Sequence, residues 1–205
     1  MFRRGAAALV LAVALAPAAA VAKTGDAPLF AIAAGEGGRV TIRLPAAGAD
    51  GILGRYLYTP QIAGGLGATE IGADRAGLGQ TQVIVFRRVG KRVLAEFENN
   101  RFRALSGDAG EERAVAASFA PSVVWAGEAT DLPDGGVSVD ISGFLLRDAV
   151  DIAARLKRGK AGAYKLAPAL SYVDPRQSLA FPDNAEFEAV LTFQSDDPGG
   201  ALGRI

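Results

Sequence analysis

The sequence predicts an α+β fold, mostly antiparallel strands and hairpins with two short-to-medium helices at about 109–119 and 144–158. Three observations predict it. Short runs of alternating apolar and polar residues recur along the chain, Gly-rich turns separate them at hairpin spacing, and one longer segment carries a clean helical period.

Taken in order, Leu29 to Ala33 and Arg39 to Leu44 read as two strands joined by the turn Gly35-Glu36-Gly37-Gly38. In the second, Val40, Ile42 and Leu44 alternate with Arg39, Thr41 and Arg43, the pattern of a half-buried strand. Ile52 to Thr59 is a third extended run. From Gly64 to Gly79 glycine recurs at 64, 65, 67, 72, 77 and 79, which implies backbone at positive φ or in close approach to a neighbour. Gln82 to Arg88 and Arg92 to Glu98 form a hairpin about Val89-Gly90-Lys91, and Arg101 to Arg103 extends the sheet. Asp108 followed by Glu111 has the spacing of a capping box, and Pro121 closes the short helix that starts there. Ser122 to Ala126 and Val137 to Ile141 pair around Asp134-Gly135-Gly136.

Ser142 caps the clearest helix, Phe144 to Arg158, with Leu145, Ala149, Ile152 and Leu156 on one stripe and Gly159 and Gly162 at its end. The rest is mostly loop, punctuated by Pro168, Pro175 and Pro182, until a final strand at Glu186 to Phe193. There Phe187, Ala189, Leu191 and Phe193 alternate with Glu186, Glu188, Val190 and Thr192.

The first 22 residues read as an export leader. Arg3 and Arg4 make a basic start, Gly5 to Val21 is uncharged and Ala-rich, and Ala20-Val21-Ala22 is an A-x-A cleavage site before Lys23. The stretch is too weakly apolar, and too broken by Pro17, for a stable membrane span, which needs about 20 strongly apolar residues. The expected organisation is therefore a leader at 1–22, an N-terminal hairpin segment at 23–50, a main domain at 51–199 and a truncated tail at 200–205. The expected location is periplasmic or extracellular.

Charge and composition narrow the function. The whole chain has 22 basic and 22 acidic residues; the leader holds two of the bases and no acid, so the remainder carries 20 and 22. That balance gives no electrostatic reason to expect nucleic acid or an anionic membrane as partner, and the tight basic cluster Lys157, Arg158 and Lys160 falls at a helix end, where cations favour the dipole. The sequence contains no His and no Cys, which removes the Ser/His/Asp relay, the thiol nucleophile, the imidazole or thiolate metal ligand and the disulfide. No S-x-x-K motif supports a serine nucleophile.

The local motifs favour structure over chemistry. Gly65-x-Gly67 lacks both the third glycine of a dinucleotide fingerprint and a following helix. The pairs Glu96/Glu98 and Glu186/Glu188 lie two apart and read as the solvated faces of amphipathic strands. Asp74-Arg75 reads as a fastener for the Gly-rich loop through charge-assisted hydrogen bonds. No catalytic, cofactor-binding or metal-ligating residue is predicted. Gly65, Gly67, Asp74, Arg75 and Gly79 are the candidate contact residues toward a partner domain, because a glycine-rich backbone can approach another surface closely.

An ordered series of words runs through the chain: Tyr58-Thr59-Pro60-Gln61-Ile62-Ala63-Gly64-Gly65-Leu66-Gly67, Ile71-Gly72-Ala73-Asp74-Arg75, Val85-Phe86-Arg87-Arg88-Val89-Gly90-Lys91, Asn99-Asn100-Arg101-Phe102-Arg103, Ser122-Val123-Val124-Trp125 and Phe144-Leu145-Leu146-Arg147-Asp148. Phe181-Pro182, Leu191-Thr192-Phe193 and Asp196-Asp197-Pro198-Gly199 close it. Over Gly51 to Gly199 this resembles the domain of unknown function that precedes the catalytic domain in exported bacterial zinc-dependent metalloproteases. The resemblance implies a non-catalytic module that docks on or shields a downstream peptidase domain. In that domain an HExxH helix would bind zinc; this chain has no His, so none of those catalytic residues carries over to it. A stand-alone periplasmic module binding peptide or glycan is the alternative.

Overall fold

The computed structural model describes residues 7–14, 27–66, 71–197 and 202. Of the expected leader only 7–14 is therefore described; the A-x-A site and the DDPG turn's last two residues lie outside the described residues. The chain divides into two compact units, one made of residues 1–43, 58–81 and 140–205, the other of 44–57 and 82–139. Antiparallel strands dominate both.

In the first unit the centre is β12 (Ala185–Gln194), the strand whose alternation is plainest in the sequence. Its alternate residues Phe187, Ala189, Leu191 and Phe193 are buried, as the pattern predicts. On one side β12 pairs with β10 (Lys165–Leu166) and β11 (Tyr172–Ala180). On the other it pairs with β1 (Ala7–Ala14), which in turn pairs with β5 (Pro60–Gly64). The expected hairpin near the N-terminus is present as β2 (Ile32–Ala34) and β3 (Val40–Leu44), with Ile32 opposite Ile42.

β10 and β11 lie where the sequence suggests loop. β11 contains Pro175, and its ladder with β12 breaks between Asp174 and Leu179. Proline cannot donate to a ladder, so the strand accommodates it in a bulge. β5 begins at Pro60, just past the expected third run, and ends at Gly64.

The expected helix 144–158 is two short ones, α2 (Ser142–Leu145) and α3 (Ile152–Arg158). Between them Asp151 adopts a left-handed conformation, φ 56°, which no continuing helix allows. The side chain of Asp148 caps the second helix: Oδ1 accepts from the Ile152 N–H at 2.7 Å and Oδ2 from the Ala153 N–H at 2.9 Å. Ser142 does not cap a helix. It is the first residue of α2, and its Oγ accepts from the Val40 N–H at 2.8 Å.

In the second unit β4 (Ile52–Tyr58), β6 (Gln82–Val89), β7 (Arg92–Phe97), β8 (Ser122–Asp131) and β9 (Val137–Asp140) form an antiparallel sheet. The 82–98 hairpin is present, Val89 pairing with Arg92 across the turn, where Gly90 has φ 59°. β8 is twice the expected length: residues 122–128 pair with β7 and residues 129–131 with β9. Arg101 to Arg103 does not extend the sheet; it forms an irregular segment held by Asn99, whose Oδ1 accepts from the Arg101 N–H. That segment leads into α1 (Ala109–Ser118).

The α1 cap is half of a capping box. Asp108 Oδ1 accepts from the N–H groups of Gly110 and Glu111 at 2.8 and 2.9 Å. The Glu111 carboxylate, however, takes the Ser106 hydroxyl instead of returning to the Asp108 N–H, which is held by the same hydroxyl.

Candidate functional site

The Gly-rich excursion of the first unit folds back on β5. Ile62 N–H donates to the Gly77 carbonyl at 3.0 Å, Ala76 N–H to the Ile62 carbonyl at 2.8 Å, and Gly79 N–H to the Pro60 carbonyl at 2.8 Å. Two glycines are required by this close packing. A Cβ on Gly65 would lie 2.5 Å from Asp74 Cα and collide with the Ala73 carbonyl, and one on Gly79 would lie 2.7 Å from Pro60 Cγ. Of the candidate contact residues, Gly65 and Gly79 thus serve the loop's own packing, and Gly67 lies outside the described residues.

Asp74 contributes its backbone carbonyl, which accepts from the Gly77 N–H. The fastening assigned to the Asp74/Arg75 pair is done by Arg155 on α3, whose Nη1 donates to the Gly72 carbonyl at 2.8 Å and Nη2 to the Leu78 carbonyl at 3.0 Å. Sequence alone could not select Arg155, because it reads as one of several solvated charges on a helix. What the loop offers outward is Leu78, 60% exposed.

Beside it, Tyr58 packs against Phe144 with ring centroids 5.4 Å apart. The Arg147 guanidinium lies 4.2 Å from the Phe144 ring centre and donates to the Tyr58 hydroxyl at 3.4 Å and, through Nε, to the Phe144 carbonyl at 2.9 Å. Burial pushes the Tyr58 phenol up, with Arg147 opposing in part, and burial lowers the Arg147 guanidinium. A cation stacked and hydrogen-bonded in this way anchors α2.

The second unit holds a cleft of about 410 Å³ between the sheet and the 99–121 segment. Arg87, Glu96 and Glu98 line its floor, and Phe102, Val115 and Phe119 its wall. The two phenylalanines stack with centroids 4.2 Å apart and planes 9° from parallel. Glu96 is not on a solvated face: its side chain is 7% exposed and accepts from Arg87 Nε at 3.0 Å. Arg87 Nη1 also donates to the Asp50 carbonyl at 2.7 Å, and Glu98 pairs with Arg55 Nε at 3.1 Å. Strand alternation separates two faces but cannot reveal that an irregular segment covers the polar one, which is why these acids read as solvated.

Around the cleft Phe102, Leu105, Phe119 and Val123 are exposed, Leu105 at 91%, and no residue of α1 is fully buried. Elsewhere in this unit Arg88 Nη1 bonds Asp131 Oδ1, which holds that carboxyl below its usual range. Among the described residues no group of three or more acidic side chains is placed to hold a metal ion. Nor is any described helix long and apolar enough to cross a membrane.

A mostly β module with an aromatic-walled cleft, floored by ion-paired side chains, is what fold and site define. The family model described as a domain of unknown function (DUF5117) matches residues 77–203, and the chain belongs to that family. No curated protein and no solved structure matches the chain.

Proposed function

We propose that this chain is the exported, non-catalytic N-terminal module of a zinc-dependent metalloprotease, docking on or shielding the peptidase domain. The observation that carries the reading is a DUF5117 match over residues 77–203 in a sequence without a single His or Cys. A domain so composed can fold and bind, but it has neither the imidazole nor the thiolate that hydrolytic zinc sites use. Exposed Leu78 on the Gly-rich loop, and Leu105, Phe102 and Val123 on the second unit, supply apolar surface for docking. Zinc belongs to the partner domain alone.

The test reads the genomic DNA beyond the codon for Ile205 in all three frames. An HExxH-encoding stretch is expected. Unrelated sequence in every frame overturns the docking role, as does peptidase activity in the purified chain.

The cleft favours a second reading, a periplasmic peptide- or glycan-binding module, because stacked Phe102 and Phe119 beside polar side chains are the mixture that small-ligand sites use. That reading requires saturable binding that Phe119→Ala abolishes.

A further inference from the structure

We propose that loss of the leader opens a strand-wide slot between β5 and β12, and that this slot takes an extended, uncharged aliphatic segment of a partner chain by strand addition. The inference rests on the export reading above. In the structure β1 fills the slot: Ala7 to Ala14 pair residue by residue with Phe193 to Glu186 of β12. Across its other edge Val10 to Val13 pair with Gly64 to Pro60 of β5. The same eight residues sit inside the stretch that the sequence marks for removal.

Both flanking strands are already engaged on their far sides. β12 is occupied there by β10 and β11, with Ala167 N–H donating to the Thr192 carbonyl and Ser171 Oγ taking the Thr192 N–H. β5 is occupied by the Gly-rich loop through Ile62. The open hydrogen-bonding groups that remain on each strand therefore face one another across the width of one strand. Proteins do not leave long ladders open next to buried apolar residues, because such edges pair with any extended chain that fits.

The flanking residues define what fits. With β1 in place, Phe187, Ala189, Leu191 and Phe193 of β12 and Ile62 of β5 are buried, so on one face of the sheet an inserted strand meets apolar residues from both neighbours, while Glu186, Glu188, Val190 and Thr192 flank it on the other. Ala7-Ala8-Leu9-Val10-Leu11-Ala12-Val13-Ala14 shows the composition the slot accepts: small or aliphatic, with no charge in eight residues. Strand addition supplies affinity through the main chain and selects side chains at alternate positions.

The experiment expresses the full chain with its own leader in a bacterial host, purifies it from the periplasm and reads its N-terminus by intact-mass spectrometry. In protein that begins at Lys23, amide exchange is followed with and without a synthetic peptide of the Ala7–Ala14 sequence, flanked by solubilising lysines. We expect saturable binding and exchange slowed at least about tenfold within 60–64 and 185–194, the hallmark of ladder formation. The same peptide with proline at alternate positions keeps its apolar character but loses ladder donors, and should bind at least about tenfold more weakly. Equal binding of the two peptides, or no protection, in protein that begins at Lys23 overturns the slot and leaves export standing. A mass that retains Met1 overturns both.

Discussion

At Gly79 one added methyl group would lie 2.7 Å from Pro60 Cγ, 3.1 Å from Val150 Cγ1 and 3.2 Å from the Ala149 carbonyl, with backbone and ring atoms that cannot step aside. Gly79→Ala should therefore cost about 1–3 kcal/mol, the usual range for overpacking, read as a lower urea midpoint at unchanged slope. Glu96→Gln tests the cleft floor. The near-buried carboxylate holds Arg87, which in turn holds the Asp50 carbonyl, so its neutralisation should cost about 1–3 kcal/mol and loosen the 48–51 turn. An unchanged midpoint would mean that Arg87 is held by Asp50 alone. Tyr58 gives a pH signature. Because burial raises its pKa in the folded state, its contribution is complete below the unfolded value of about 10 and is lost as pH rises through the folded one. Urea midpoints should fall as pH rises above about 10, and Tyr58→Phe should shrink that fall; an identical fall in the variant would place the titration elsewhere.

Asp148 is the clearest test among the elements. Its two oxygens satisfy the first N–H groups of α3, so Asp148→Ala should cost about 1–2 kcal/mol and raise exchange in 152–158 first. The apolar stripe Leu145, Ala149, Ile152, Leu156 was legible and mostly correct, since Leu145, Ile152 and Leu156 are buried, yet the helix it implies is broken. Two acids three apart, Asp148 and Asp151, bracket Val150, which is buried off the stripe; they were the signal that a cap interrupts the period. β12 was readable because it packs one apolar face continuously, and β6 and β7 because a glycine turn joins two runs rich in β-branched and aromatic residues. β5 and β11 were not, because Pro60, Gly64 and Pro175 carry local preferences that a sheet neighbour overrides. The Gly-rich loop was read correctly as a place of close approach, but what it approaches is β5 of its own unit, a tertiary fact that no local pattern encodes.

At the scale of the whole chain, residues 77–203 fall in both units, so the family match is not confined to one of them. The chain folds without His or Cys, and its stability should not depend on a transition metal. Thermal midpoints measured with and without EDTA should coincide, since a ligand that binds the native state raises the midpoint and its removal lowers it. A drop on chelation would reveal oxygen-ligand chemistry in the described units.

The hydroxyls of Thr59 and Thr81 lie 3.0 Å apart, joining the two ends of the excursion that carries the glycines. For a segment whose ends are clasped, doubling its length adds only about 0.6 kcal/mol of closure entropy. Grafted epitopes or reporter tags placed in its outer part should leave both threonines, and the sheet beneath them, where they are.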